Sequence, residues 1–149
     1  MERVMYFAYG SNLDTRQMRS RCPSAEAEAR AVLPNHALAF AGFSRRWGGA
    51  VATVVRIPGE QVTGLLYRLL PDELLDLDRH EGCPLAYRRR LMLVTDEHGR
   101  RRRAQLYQQP NERLVPWAPQ SDYLRVLRRA YRRLGFDVGQ LASATEVTR

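Results

Sequence analysis

Glu81 is a carboxylate in an apolar position. On a helix opened by Pro71 and Asp72, turning about 100° per residue, Leu70, Leu74, Leu77 and Glu81 share one narrow arc. Asp72, Glu73, Asp76 and His80 fall outside it. An acid in such a stripe must be paired or must hold its proton more tightly, because burial disfavours the charged form. Acids of that kind exchange protons near neutral pH. A plainer reading competes: Glu81 falls in the last turn, where its side chain can reach solvent or pair with Arg88, Arg89 or Arg90. Periodicity alone weighs towards that plainer reading, and Asp78, at the border of the arc, is a weaker rival for the role.

The second candidate is the stretch YFAYGSNL, from Tyr6 to Leu13. An apolar run stops at Gly10 and passes at once into a short polar segment, DTRQMRSR, which Asp14 or Thr15 can cap and Pro23 closes. A strand that ends in a glycine turn at a helix start aims several backbone N–H groups at one point, an arrangement that attracts anions.

Other reactive residue types carry less. His36, His80 and His98 share no metal-ligand spacing with Cys22 or Cys83, so no metal site is expected. Cys83 has no histidine at helical spacing to activate it. Tyr87 and Tyr123 read as core aromatics with a polar tip, and RRRR at Arg100 to Arg103 as a strand with alternate residues solvated.

The elements that must position these residues follow from pattern. Val4 to Tyr9, His36 to Phe43, Ala50 to Ile57 and Val62 to Leu69 read as strands, with a turn at Pro58-Gly59 and an antiparallel meander among the last three. The segments RRLMLVTD and RRRRAQLYQ, separated by Glu97-His98-Gly99, read as a hairpin, which makes six strands. The helix from Pro71 is stopped by Gly82 and Pro84. A last helix, SDYLRVLRRAYRRLG, buries Tyr123, Leu127, Ala130, Tyr131 and Leu134 and turns its arginines outward. The tail after Gly139 is expected to fray. The fold class is α+β, with a small barrel as a reasonable way to hide the sheet edges.

Composition bounds the rest. At 149 residues and 44% apolar, the chain fits one domain over residues 1–149, with a core from about 4 to 135 and a tail over 139–149. All 24 basic residues are arginine and the net charge is +8, which favours anionic partners without naming one. Two cysteines and no secretory or membrane-spanning stretch point to the cytoplasm. The rival reading is a binding module, or a nucleic-acid-associated protein using the Arg-rich hairpin and last helix. No nucleic-acid motif accompanies that charge, and no stacking aromatics interleave RRRR.

Taken together, YFAYGSNL, GGAVATVV, VTGLLYRL, LLDLDRHEGCPLAYRR and SDYLRVL resemble the γ-glutamylcyclotransferase family in order and spacing, over about Met5 to Gly135. The resemblance implies a small, mostly antiparallel mixed β-barrel with flanking helices. It implies cyclisation of a γ-glutamyl amide to 5-oxoproline with release of the attached amine or amino acid, without a cofactor. It places the catalytic glutamate at Glu81. It gives Tyr9, Gly10, Ser11 and Asn12 the γ-glutamyl-binding loop, Tyr6 the same strand, and Tyr87 and Tyr123 the border of the pocket. The implied partner is a small γ-glutamyl compound; the residues themselves lead to the expectation of no membrane or nucleic-acid partner, and a monomer or homodimer is expected.

Overall fold

The computed structural model describes residues 2–111 and 118–147. Its elements are β1 (Val4–Ala8), α1 (Thr15–Arg21), β2 (Glu26–Ser44), β3 (Gly49–Leu69), α2 (Pro71–His80), β4 (Arg88–Asp96), β5 (Arg101–Gln108), α3 (Ser121–Leu134) and α4 (Gly139–Val147). The strands close into a barrel in the order β1-β3-β2-β4-β5. All pairings are antiparallel except the closing one, where Tyr6 of β1 meets Gln105 of β5 in parallel. The expected α+β barrel with flanking helices is therefore present, built from five strands and not six.

The difference lies in the middle of the chain. The expected meander is one long hairpin: His36 pairs Arg56, whereas Val62 to Leu66 pair back to Leu33 to Ala29, a stretch the strand reading had passed over. Pro58-Gly59 makes no reversal. Gly59 takes φ +87°, opposite Asn35 at φ +59°, and the Gly59 N–H donates to Asn35 Oδ1 at 3.0 Å. The register shifts between Pro34 and His36 at this point. A bulge of this kind bends and twists a ribbon without ending it, which is what a long hairpin needs to wrap a barrel.

Packing fixes where the ribbon may cross. A Cβ added to Gly64 would strike the Ala8 carbonyl oxygen and the Phe7 ring, so β1 and β3 approach that closely only over glycine. The barrel interior is filled by Phe7, Leu33, Phe40, Val54, Leu66 and Leu106. α3 buries Tyr123, Leu127, Ala130 and Tyr131, as its periodicity requires, and ends at Gly135 with φ +75°.

The chain after Gly139 departs from the expected frayed tail. It forms α4, and Leu141 and Ala144 are buried. Gln140 reads the backbone of β3 like a neighbouring strand: Thr63 N–H donates to Oε1 at 2.8 Å and Nε2 donates to the Thr63 carbonyl at 3.1 Å. Two polar bonds to half-buried Thr63 help hold a helix whose own composition gave little amphipathic signal.

Candidate active site

Between β1 and α1 the chain does what its residue types dictate. After Ala8 it leaves the sheet, and Ser11–Leu13 form one turn of 3-10 helix that the Leu13 N–H closes on the Gly10 carbonyl at 3.0 Å. Asp14 then caps α1 by accepting from the Arg16 N–H at 3.1 Å. The N–H groups of Gly10, Ser11 and Asn12 find no acceptor among the described residues. The three residues line a cavity of about 300 Å³.

α2 delivers Glu81 to the same cavity. Leu74 and Leu77 are buried, and Glu81 continues their line as the C-terminal cap with helical backbone angles, φ −86° and ψ −1°. Gly82 follows at φ +66° and turns the chain away. The side chain of Glu81 is only 17% exposed. Its carboxylate accepts from Asn12 Nδ2 at 3.1 Å and pairs with Arg21 at 3.6 Å. The anticipated partners Arg88 to Arg90 are not those that engage it: Arg89 pairs with Asp78 at 2.9 Å. Asp78 also accepts from the Tyr107 hydroxyl at 2.6 Å, which removes it as a rival.

Asn12 is the hub that ties loop to acid. Its Nδ2 also donates to the Tyr6 hydroxyl at 2.9 Å, and its Oδ1 accepts from Gln17 Nε2 at 3.0 Å and Arg21 Nη1 at 3.1 Å. Gln17 further donates to Ser11 Oγ at 2.7 Å, and the Tyr67 hydroxyl holds the Asn12 carbonyl at 2.9 Å. Gln17 and Arg21 were missed from sequence. They lie four apart on α1 and so share a face, a spacing that was there to be read but pointed at nothing until α1 folded back on the loop.

Tyr6, Tyr9, Gly10, Ser11, Asn12, Glu81, Tyr87 and Tyr123 all line this one cavity, together with Arg21, His80, Tyr107 and the turn between β2 and β3. The tyrosines are oriented by backbone. Tyr9 donates to the Tyr107 carbonyl, and Tyr87 donates to the Ala52 carbonyl at 2.6 Å. The Ala52 N–H donates to the Tyr123 hydroxyl at 2.8 Å, and that oxygen lies 3.5 Å from where a Cβ on Gly10 would stand.

Burial raises Tyr6, Tyr9, Tyr87 and Tyr123 above the ordinary phenol range, and the nearby Glu81 charge adds to the rise in each. They stay neutral donors. Burial also pushes Glu81 above the ordinary 4.5, against the Arg21 guanidinium and the Asn12 amide, which pull it down. The negative end of α2 works in the same direction as burial. His80 is exposed at the rim, and burial followed by Arg21 lowers it below the ordinary 6.5. Glu81 is thus the held acid of the cavity, able to take and return a proton.

A closed, mixed barrel whose cleft gathers a dehydrated glutamate and the amides of a glycine turn defines the class of protein. A family model described as gamma-glutamyl cyclotransferase, AIG2-like, matches residues 6–125, and the chain belongs to that family. It is 34% identical over 124 residues to a Bos taurus protein named gamma-glutamylcyclotransferase, a match covering 80% of this chain and 66% of the bovine one. A Mus musculus protein of the same name is 40% identical over 85 residues, covering 54% of this chain and 45% of the mouse one. The chain therefore spans less than two thirds of these relatives' length. A solved structure titled gamma-glutamyl cyclotransferase superposes with a TM-score of 0.88 at 26% identity, covering 96% of this chain and 86% of that one.

Proposed function

We propose that this chain cyclises a γ-glutamyl amide to 5-oxoproline and releases the attached amine or amino acid, with Glu81 as general base and then general acid. The observation that supports it most is the Glu81 carboxylate held beside Asn12, at the edge of the unpaired amides of the Gly10 turn. The substrate's α-amine is the nucleophile, and at neutral pH it is an ammonium ion that cannot attack. Glu81 removes one proton, the freed nitrogen bonds to the carbonyl carbon of the γ-glutamyl amide, and the carbonyl oxygen gains negative charge. The Gly10, Ser11 and Asn12 N–H groups and the Tyr123 hydroxyl are placed to hold that charge, or the substrate's α-carboxylate.

Collapse of the adduct breaks the original amide bond. Glu81 returns its proton to the departing nitrogen, and the ring nitrogen sheds a second. Across the cycle two protons leave the nucleophilic nitrogen and two reach the leaving one, so the enzyme ends as it began. Nucleophile and carbonyl belong to one molecule, so much of the task is to hold the bent conformer in which they approach within about 3 to 3.5 Å. The walls of Tyr6, Tyr9 and Tyr107, with Tyr6 and Tyr107 edge to face at 5.8 Å, suit that compact shape.

Incubation of the purified protein with a γ-glutamyl amino acid, glutathione and a γ-glutamylamine, followed by assay for 5-oxoproline, tests the reading. Release from at least one is expected. Release from none ends it.

A further inference from the structure

We infer, building on the reading above, that Gln17 of α1 is a positioning residue that sets the polarity of the glycine turn: it holds the Asn12 amide with its nitrogen towards Glu81 and makes the Ser11 hydroxyl a donor to the γ-glutamyl group. Gln17 Nε2 donates to Asn12 Oδ1 at 3.0 Å and to Ser11 Oγ at 2.7 Å. Ser11 and Asn12 line the cavity. Gln17 is not one of its walls among the described residues, so it acts through the other two.

The directions follow from which groups can donate. A guanidinium has donors only, and Arg21 Nη1 lies 3.1 Å from one end of the Asn12 amide, so that end is the oxygen. An ionised carboxylate has acceptors only, and Glu81 Oε1 lies 3.1 Å from the other end, so that end is the nitrogen. The Gln17 group that meets Asn12 Oδ1 must then be its NH2, and the same nitrogen reaches Ser11 Oγ with its other proton. Ser11 Oγ therefore accepts, and its own proton meets no acceptor among the described residues. A hydroxyl that accepts one hydrogen bond is polarised to donate a stronger one. Beside the N–H groups of the same turn, that proton suits the substrate's α-carboxylate or the oxygen that gains charge. Arg21 holds the same Asn12 oxygen but also pairs with Glu81, so its removal changes the charge beside the acid. Gln17 is neutral, and its removal changes the amide alone.

The test follows kcat, KM and the pH profile for γ-glutamylalanine, or for glutathione where that is the compound turned over. Glu81 is faced by Arg21 from α1, by Tyr6 and Tyr9 from β1, and by Tyr87, Tyr107 and Tyr123, with His80 beside it. Gln17→Met leaves all of these in place. It removes one of the two donors to Asn12 Oδ1 and loosens the amide that pulls Glu81 down, so the acid limb of kcat/KM moves to higher pH. KM rises about threefold to tenfold as Ser11 loses its orientation. Ser11→Ala should raise KM with the limb in place, and adding Gln17→Met to it should move the limb with no further rise in KM. A limb that stays put in folded Gln17→Met overturns the inference, as do KM losses that add in the double variant. If Gln17→Met fails to fold, Gln17→Ala decides by the same two readouts. Absence of 5-oxoproline with the native protein refutes the parent reading and this inference with it, whereas native turnover with an unmoved limb in the variant refutes this inference alone.

Discussion

Asn12 Nδ2 lies 3.1 Å from Glu81 Oε1, a contact between residues 69 positions apart that joins the glycine turn after β1 to the end of α2. It makes the orientation of the acid depend on a loop that α1 in turn holds through Gln17 and Arg21.

Replacing the acid separates chemistry from folding. Glu81→Gln keeps the shape and is expected to lower 5-oxoproline turnover by about 10² or more. Because the folded-state pKa of Glu81 is raised, its ionisation opposes folding as pH rises from the ordinary value through the folded one. The variant should therefore melt no lower than the native protein at neutral pH, and normal turnover by a folded variant would remove Glu81 from the mechanism.

Arg21 sets where Glu81 ionises. Native kcat/KM should fall on acidification through a limb above 4.5, the ordinary value, since burial outweighs the Arg21 and Asn12 contributions. Arg21→Met withdraws the larger opposing contribution, so the acid limb moves to higher pH. A pH profile whose limb stays in place, or moves down, contradicts the assignment.

The hydroxyl of Tyr123 is bound to backbone as well as facing the cavity. Tyr123→Phe strands the buried Ala52 N–H and is expected to cost about 1–3 kcal/mol in urea unfolding, alongside a drop in kcat/KM. Unchanged stability would show that the N–H finds another acceptor.

Glu73 gives a pH signature of the opposite sign. It is 7% exposed at the start of α2; burial raises its pKa, but bonds from the Ser24 hydroxyl and N–H and the Leu70 N–H more than reverse this. A lowered acid contributes stability above the ordinary carboxylate pKa and loses it as pH falls through the folded value. Glu73→Gln should cost about 1–3 kcal/mol at neutral pH, with the gap to native closing in acid; a gap constant with pH would exclude the ionised bond.

Much of this was legible because it is local. The stripe Tyr123, Leu127, Ala130 and Tyr131 follows from helical period, and the buried Leu74 and Leu77 that aim Glu81 follow from the same count. Glu73 was not, since the arc that sorted α2 into faces takes no account of its first turn, where an acid is needed to satisfy the Leu70 N–H. The bulge at Asn35 and Gly59 was misread as a reversal, because Pro-Gly specifies local angles and not what the next strand pairs with.

The glycine turn after β1 and the apolar line ending at Glu81 are written in the order of amino acids, for these rest on residue type and on the helical period, whereas family resemblance alone assigns Tyr6, Tyr87 and Tyr123 to the cavity. Only the closed barrel decided that Glu81 is bound by Asn12 and Arg21. Partners so far apart along the chain leave no trace in local spacing, and they meet when burial of the barrel core brings their backbones together.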